Sequence, residues 1–326
     1  MSPEIRAQRE QELAAARAAY EKNPNDADTI VWLGRRTAYL GDYRGAIEIF
    51  SEGARKHPND ARILRHRGHR WITLRDFDRA IADLSRAAEL VRGKADEIEP
   101  DGLPNARNIP LTTLQSNIWY HLGLAHYLKG DFEKALDAYR ACMNVSKNPD
   151  GVVSTSHWLY MTLRRLGRPA DAERVLEPIS SDMEIIENIA YHKLLLMYRG
   201  EIAPEELETE DPATVDGATI LYGVGNWYLY NGQPERAHPI FTRVTANGQW
   251  AAFGFIAAEA DLRHAGKLER TASSSMNSVS PSILDAHQCA DHDPCAQRPD
   301  RTVQPHRSHA ADGCRARPRD VGRRSR

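Results

Sequence analysis

Along most of this chain apolar and small positions fall at helical spacing, and the whole arrangement returns at a fixed longer interval. Leu33, Gly34, Gly41, Tyr43, Ala46 and Phe50 reappear 34 places later as Arg67, Gly68, Arg75, Phe77, Ala80 and Leu84. The same frame laid on residues 116–149 finds Trp119, Leu122, Gly123, Gly130, Phe132, Ala135 and Tyr139, then Cys142 at another small-residue position. Each repeat reads as a pair of helices. Gly34, Gly68 and Gly123 on the first helix, and Ala46, Ala80 and Ala135 on the second, let the two approach where a larger side chain would hold them apart. Gly41-Asp42, Arg75-Asp76 and Gly130-Asp131 mark the turn between them, with a residue suited to the left-handed conformation followed by an N-cap. Pro58 stops the second helix of the first repeat.

Downstream the pattern continues with drift. In residues 153–186, Leu159, Gly167, Ala172 and Leu176 keep register, Pro169 suits the first turn of the second helix, and Tyr160 replaces the close-packing glycine, which predicts looser packing. Residues 187–198 read as a first helix followed by Gly200, with a shortened second helix in the acidic stretch EIAPEELETED, whose acids are most simply a solvated linker. Residues 218–251 recover the frame with Leu221, Gly225, Tyr228, Gly232, Ala237 and Phe241, and Pro239 lies early enough in its helix to be tolerated. One more first helix is predicted over 251–265.

The predicted organisation is a capping helix at 4–22, two repeats at 27–92, a long loop at 93–115, two repeats at 116–186, a degenerate repeat at 187–210 and a repeat with a final helix at 218–266. The loop is rich in Pro, Gly and Asn, and a loop of that length in a compact protein is commonly disordered or functional, so it is a candidate for folding over a binding groove.

These residues resemble the tetratricopeptide repeat, whose 34-residue period carries a W, L-G, Y, A, F, P pattern. The resemblance implies an all-α, right-handed α-α superhelix in which stacked pairs curve and the first helices line a concave face. In that frame the groove is lined by Arg35, Arg65, His66, His69, Tyr120, Tyr127, His157, Arg164, Arg165, Tyr222 and Asn226, a basic and aromatic set. Arg forks and aromatic walls suit an extended protein segment that is acidic or ends in a carboxylate. The alternative is that these residues pack between neighbouring repeats. Chaperone-binding members of the family carry a Lys/Asn carboxylate clamp. The corresponding positions here hold Val31 and Arg35 in one repeat and Arg65 and His69 in the next, so that recognition is not supported.

Composition changes the picture only at the end of the chain. The 326 residues are 41% apolar with a formal net charge of −2, but residues 267–326 carry +4 and leave −6 on residues 1–266. After Phe255 no aromatic residue except histidine occurs, and after Gly266 the alphabet shifts to Arg, Ser, His, Pro, Asp and Cys. This stretch is expected to be a disordered tail, or else an out-of-frame ending that truncates a longer repeat protein. His287, Cys289, His292, Cys295, His306, His309 and Cys314 could supply soft ligands to a metal-responsive or enzyme-accessory protein, although their spacing matches no zinc signature. The arginines from Arg315 to Arg326 lack the interleaved aromatics of a nucleic-acid reader.

No uninterrupted apolar run is long enough to span a bilayer and the start has no secretory h-region, so a cytoplasmic location is expected. Four cysteines, with Cys142 alone in the body, do not form a disulfide framework. Gly223-Val224-Gly225 falls inside a helical pattern and reads as packing, not as a dinucleotide loop. The His66/His69 pair has no carboxylate or cysteine company in sequence, and it reads as surface or groove residues. The overall expectation is a non-enzymatic protein-binding scaffold without a cofactor.

Overall fold

A computed structural model of the chain describes residues 1–267. The readings made for the tail, its metal-ligand candidates and its arginine run, fall outside those residues. Fourteen helices follow one another among the described residues. A capping helix α1 (Pro3–Lys22) precedes six helix pairs: α2 (Ala27–Tyr39) with α3 (Tyr43–Lys56), α4 (Ala61–Thr73) with α5 (Phe77–Val91), α6 (Leu114–Lys129) with α7 (Phe132–Val145), α8 (Pro149–Arg165) with α9 (Pro169–Val175), α10 (Ile189–Tyr198) with α11 (Pro204–Leu207), and α12 (Val215–Tyr230) with α13 (Pro234–Thr245). A final helix, α14 (Phe253–His264), packs on the last pair. None of these helices is long and apolar enough to cross a membrane.

The small residues act as their spacing implies. A Cβ on Gly34 would lie 2.4 Å from the Phe50 ring, and one on Gly68 or Gly225 would lie 2.7 Å from Leu84 or 2.6 Å from Phe241. Ala46, Ala80, Ala135, Ala172 and Ala237 are each fully buried on the facing helix. Close approach lets Phe50, Leu84, Tyr139 and Phe241 reach complete burial, which stabilises by about 1.5–3 kcal/mol for each large side chain. In the fourth pair Tyr160 stacks instead on Tyr198 of the next pair, with ring centroids 4.4 Å apart, and the partner helix α9 has only seven residues.

Turns between paired helices use the left-handed backbone at Gly41, Gly130, Gly167 and Gly232. Arg75 occupies the same position with φ of 63°. Asp42 and Asp76 cap the following helices through Gly45 N and Arg79 N. Asp131 stands at the N-cap of α7 but makes no side-chain capping bond there, which corrects the expectation for that turn. The acidic stretch after α10 is also more than a solvated linker: Glu205 and Glu208 both accept from Tyr228 and from Arg236, and Glu210 pairs with Lys193.

The stacked pairs curl until the last helix meets the first repeats. Trp250 packs edge-on against Tyr43 at 5.5 Å, and Ala251 joins the cluster that contains Ile30, Phe50 and Ile63. Arg75, at the turn of the second repeat, pairs with Glu259 of α14 at 2.8 Å, donates to the Trp250 carbonyl and lies over the Trp250 ring. Helix α14 thus packs against α6, α12 and α13, and its Phe253 ring lies 5.4 Å from His69 of α4.

Candidate functional site

Of the eleven residues expected to line the groove, eight come together in two groups of four, and Tyr120, His157 and Arg164 lie outside both. In the N-terminal group, α2 supplies Arg35 and α4 supplies Arg65, His66 and His69, all buried. The loop between α5 and α6 lies on them. Its Glu99 carboxylate is 3.0 Å from Arg65 Nη2, with both side chains almost wholly buried. Arg65 Nη1 is 2.9 Å from His66 Nδ1. A guanidinium only donates, so that ring nitrogen accepts and the imidazole proton sits on Nε2, which faces Glu99 at 3.7 Å. Arg35 donates to the Pro100 carbonyl at 2.8 Å and to Tyr39 Oη at 3.1 Å, while Arg36 donates to the Gly102 carbonyl at 2.9 Å. The void left among Arg35, Tyr39, Phe50, Arg65, His66 and Arg70 is only about 10 Å³, room for at most one water. His69 is turned away from the loop: its Nδ1 accepts from Arg70, and its ring lies 4.3 Å from His121 and 5.4 Å from Phe253 of α14.

The C-terminal group is closed by side chains of the first helices and by α14. Arg165 holds Asp261 in a two-pronged pair at 2.9 and 3.1 Å and also donates to Asn226 Oδ1 at 3.0 Å. Asn226 Nδ2 donates to Tyr127 Oη at 3.0 Å. Tyr222 Oη lies 2.9 Å from Tyr127 Oη and 3.0 Å from Asp261 Oδ2. The carboxylate accepts only, so Tyr222 gives it its proton and takes that of Tyr127, which completes a hydrogen-bonded ring from Arg165 through Asn226, Tyr127, Tyr222 and Asp261. Burial pushes the Tyr127 hydroxyl up to about 12 and that of Tyr222 well above its ordinary range, so both stay protonated as this ring requires. Against the cost of burial, Tyr127 and Asp261 hold the Arg165 guanidinium firmly in its charged form.

Tyr120 accepts from Trp158 Nε1 at 2.8 Å and meets Tyr191 Oη at 3.0 Å. His157 is stacked between Tyr191 and Tyr198, and burial pushes its imidazole down to about 3. Arg164 stands apart on the rim, bonded to Tyr160 and Asn231 and lying over Tyr230.

The residues that matter here and that the repeat frame did not single out are the acids. Glu99, Glu259 and Asp261 each face an arginine of a first helix or its turn. Their signal was present in sequence: the loop carries Asp96, Glu97, Glu99 and Asp101 within six residues, and α14 is an apolar helix with just these two acids. Gly223 and Gly225 are packing glycines inside α12, against Leu194 and Phe241. Among the described residues no three His, Cys, Asp or Glu side chains gather as metal ligands, and Cys142 is buried.

Two tetratricopeptide repeat families match the chain, one over residues 33–95 and the other over residues 116–149. No curated protein sequence matches the chain. Similar solved structures include a tetratricopeptide repeat protein from Parabacteroides merdae, 17% identical, covering 75% of this chain and 90% of that one with a TM-score of 0.46. YrrB, described as a TPR protein with an unusual peptide-binding site, is 15% identical over 78% of this chain and 98% of its own, with a TM-score of 0.41. A putative kinesin light chain from Podosopora anserina with nearly identical TPR-like repeats is 13% identical over 69% and 95%, with a TM-score of 0.40. With the two family matches falling on α2–α5 and α6–α7, residues 33–95 and 116–149 of the chain are tetratricopeptide repeats, and the same helix pairing continues on the C-terminal side.

Proposed function

We propose that this chain is a non-enzymatic interaction scaffold that receives an extended acidic segment of a partner protein on the N-terminal half of its concave face. The observation that carries this reading is the seating of the chain's own loop. A carboxylate, Glu99, rests against Arg65 and His66, and two main-chain carbonyl contacts, Pro100 to Arg35 and Gly102 to Arg36, follow it along the surface. Arginines that read a carboxylate and then a backbone are the chemistry of extended-peptide recognition. The C-terminal half contributes support instead, since Arg165, Tyr127, Tyr222 and Asn226 are engaged with one another and with Asp261.

Binding of an array of Asp/Glu-containing peptides to the chain with its own loop loosened by Glu99→Gln, measured before and after Arg35→Gln combined with Arg36→Gln, tests the reading. Each charge-assisted hydrogen bond contributes about 1.5–3 kcal/mol, so losing two weakens affinity by at least about tenfold. Unchanged affinity in a variant with intact helical content removes the groove assignment.

A further inference from the structure

The loop that covers the basic face has a pattern of its own. From residue 98 to residue 108, only Glu99, Gly102 and Asn105 are buried, one in every three, while Pro100, Pro104 and residues 106–108 face outward. One residue in three thus faces inward, through a bend at residues 102–103 and into a turn closed by Asn108 N on Asn105 O at 2.8 Å. Each buried position meets a different demand. Position 99 needs a carboxylate, held by Arg65 at 3.0 Å. Position 102 leaves no room for a side chain unless its neighbours move: a Cβ there would lie 1.8 Å from Tyr39 Oη, 2.6 Å from Tyr39 Cζ and 2.8 Å from Arg35 Nη2. Position 105 needs an amide, because Asn105 Nδ2 donates to the buried Glu187 at 2.6 Å. Glu187 is itself fixed, since the Asp150 carboxylate accepts from the backbone N–H of residues 186, 187 and 188 at 3.0, 2.8 and 2.8 Å. The receiving surface is therefore built by α2, α4 and the segment before α10. The loop is anchored at its neck by bonds between Glu99 N and Thr112 O and between Leu114 N and Glu97 O.

We propose that residues 99–105 are an internal ligand: they hold the seat of a partner segment bearing a carboxylate, a glycine three residues on and an asparagine three beyond that, and they leave when that segment binds. The inference rests on the reading of this face as a site for acidic segments and adds the pattern selected there. A tethered competitor acts at an effective concentration in the millimolar range, so the loop sets a threshold that a partner must exceed.

Gly102→Ala is the informative variant, because the new methyl group collides with Tyr39 and drives out the loop while every residue of the receiving face is retained. A fluorescein-labelled peptide of residues 96–108 is titrated against the full chain and against this variant, with hydrogen exchange of residues 98–112 followed in parallel. The expected result is faster loop exchange in the variant and peptide affinity at least tenfold tighter than for the unaltered chain. Peptides carrying Ala at the position of Gly102 or Gln at that of Glu99 should bind the variant at least tenfold more weakly. Glu99→Gln in the full chain is the second route to a released loop should the alanine variant not fold. Equal peptide affinity for both chains with the loop released overturns the competition. Unchanged loop exchange in Gly102→Ala overturns the glycine requirement. A scrambled peptide of the same composition that binds the variant as tightly overturns the pattern but leaves the acidic-segment reading standing, whereas no binding of either peptide to a released, folded variant ends both.

Discussion

Acid should destabilise this fold through one residue in particular. His157 is wholly buried on α8, between the rings of Tyr191 at 4.6 Å and Tyr198 at 5.9 Å, and its Nε2 has no hydrogen-bond partner. Burial moves its pKa from an ordinary 6.5 to about 3. The folded chain therefore keeps this imidazole neutral down to about pH 3, whereas the unfolded chain takes up a proton below about pH 6.5. Stability is complete above 6.5 and falls as the pH drops through the window between the two values. Between pH 7 and pH 5 the loss is about 2 kcal/mol, at about 1.36 kcal/mol for each pH unit below 6.5. Carboxylates elsewhere also titrate on the way down, so the measurement is a difference. Urea unfolding of the wild type and of His157→Phe, followed by circular dichroism at the two pH values, isolates the histidine. Phenylalanine keeps the stacking and cannot titrate, so the variant should gain about 2 kcal/mol relative to wild type on going to pH 5. Parallel loss of stability in the two proteins would refute the argument.

Three further outcomes are expected. Asp261→Asn leaves the largely buried Arg165 without its counter-charge and should cost about 3–5 kcal/mol, seen as a lowered thermal midpoint, with Arg165→Met in the same background recovering part of it. Gly123→Ala puts a Cβ 2.8 Å from the Tyr139 ring and should cost about 1–3 kcal/mol, partly restored by Tyr139→Leu; Gly167→Ala meets nothing nearby, and its cost of about 1–2 kcal/mol comes from φ alone and is not rescued by trimming neighbours. Cys142 is 1% exposed with its thiol pushed up to about 11 by burial, so peptide mapping after alkylation at pH 8 should find it unmodified until denaturant is added.

The helix pairs were legible because they depend on local rules. A glycine under an aromatic ring, an alanine opposite it and a turn residue between them recur at a fixed interval, and each needs only its own repeat to be satisfied. The fate of the inner face was not legible from those rules. Whether Tyr127, Tyr222 and Asn226 look into an open groove or onto one another depends on how tightly successive pairs wind, a rotation accumulated over many repeats. Arg75 shows the same limit at a single position. The frame calls for glycine there, and a left-handed arginine costs about 1–2 kcal/mol locally. Its reward is the contact with Glu259 and Trp250, 184 and 175 residues away. Asp261 belongs to the same class, since its partner Arg165 lies 96 residues away, while Glu99 sits in a loop that has no counterpart in the repeat frame.

The Arg75 contact also changes how such a protein comes apart. In an open array each repeat touches only its neighbours, so the terminal units fray first and unfolding spreads inward one unit at a time. Here the second repeat grips the last helix, and Tyr43 of the first repeat packs against Trp250. Neither the first two repeats nor α14 can open without loosening the other. The chain should melt in a single sharp transition, and freeing Arg75 from α14 should broaden that transition before it lowers the midpoint.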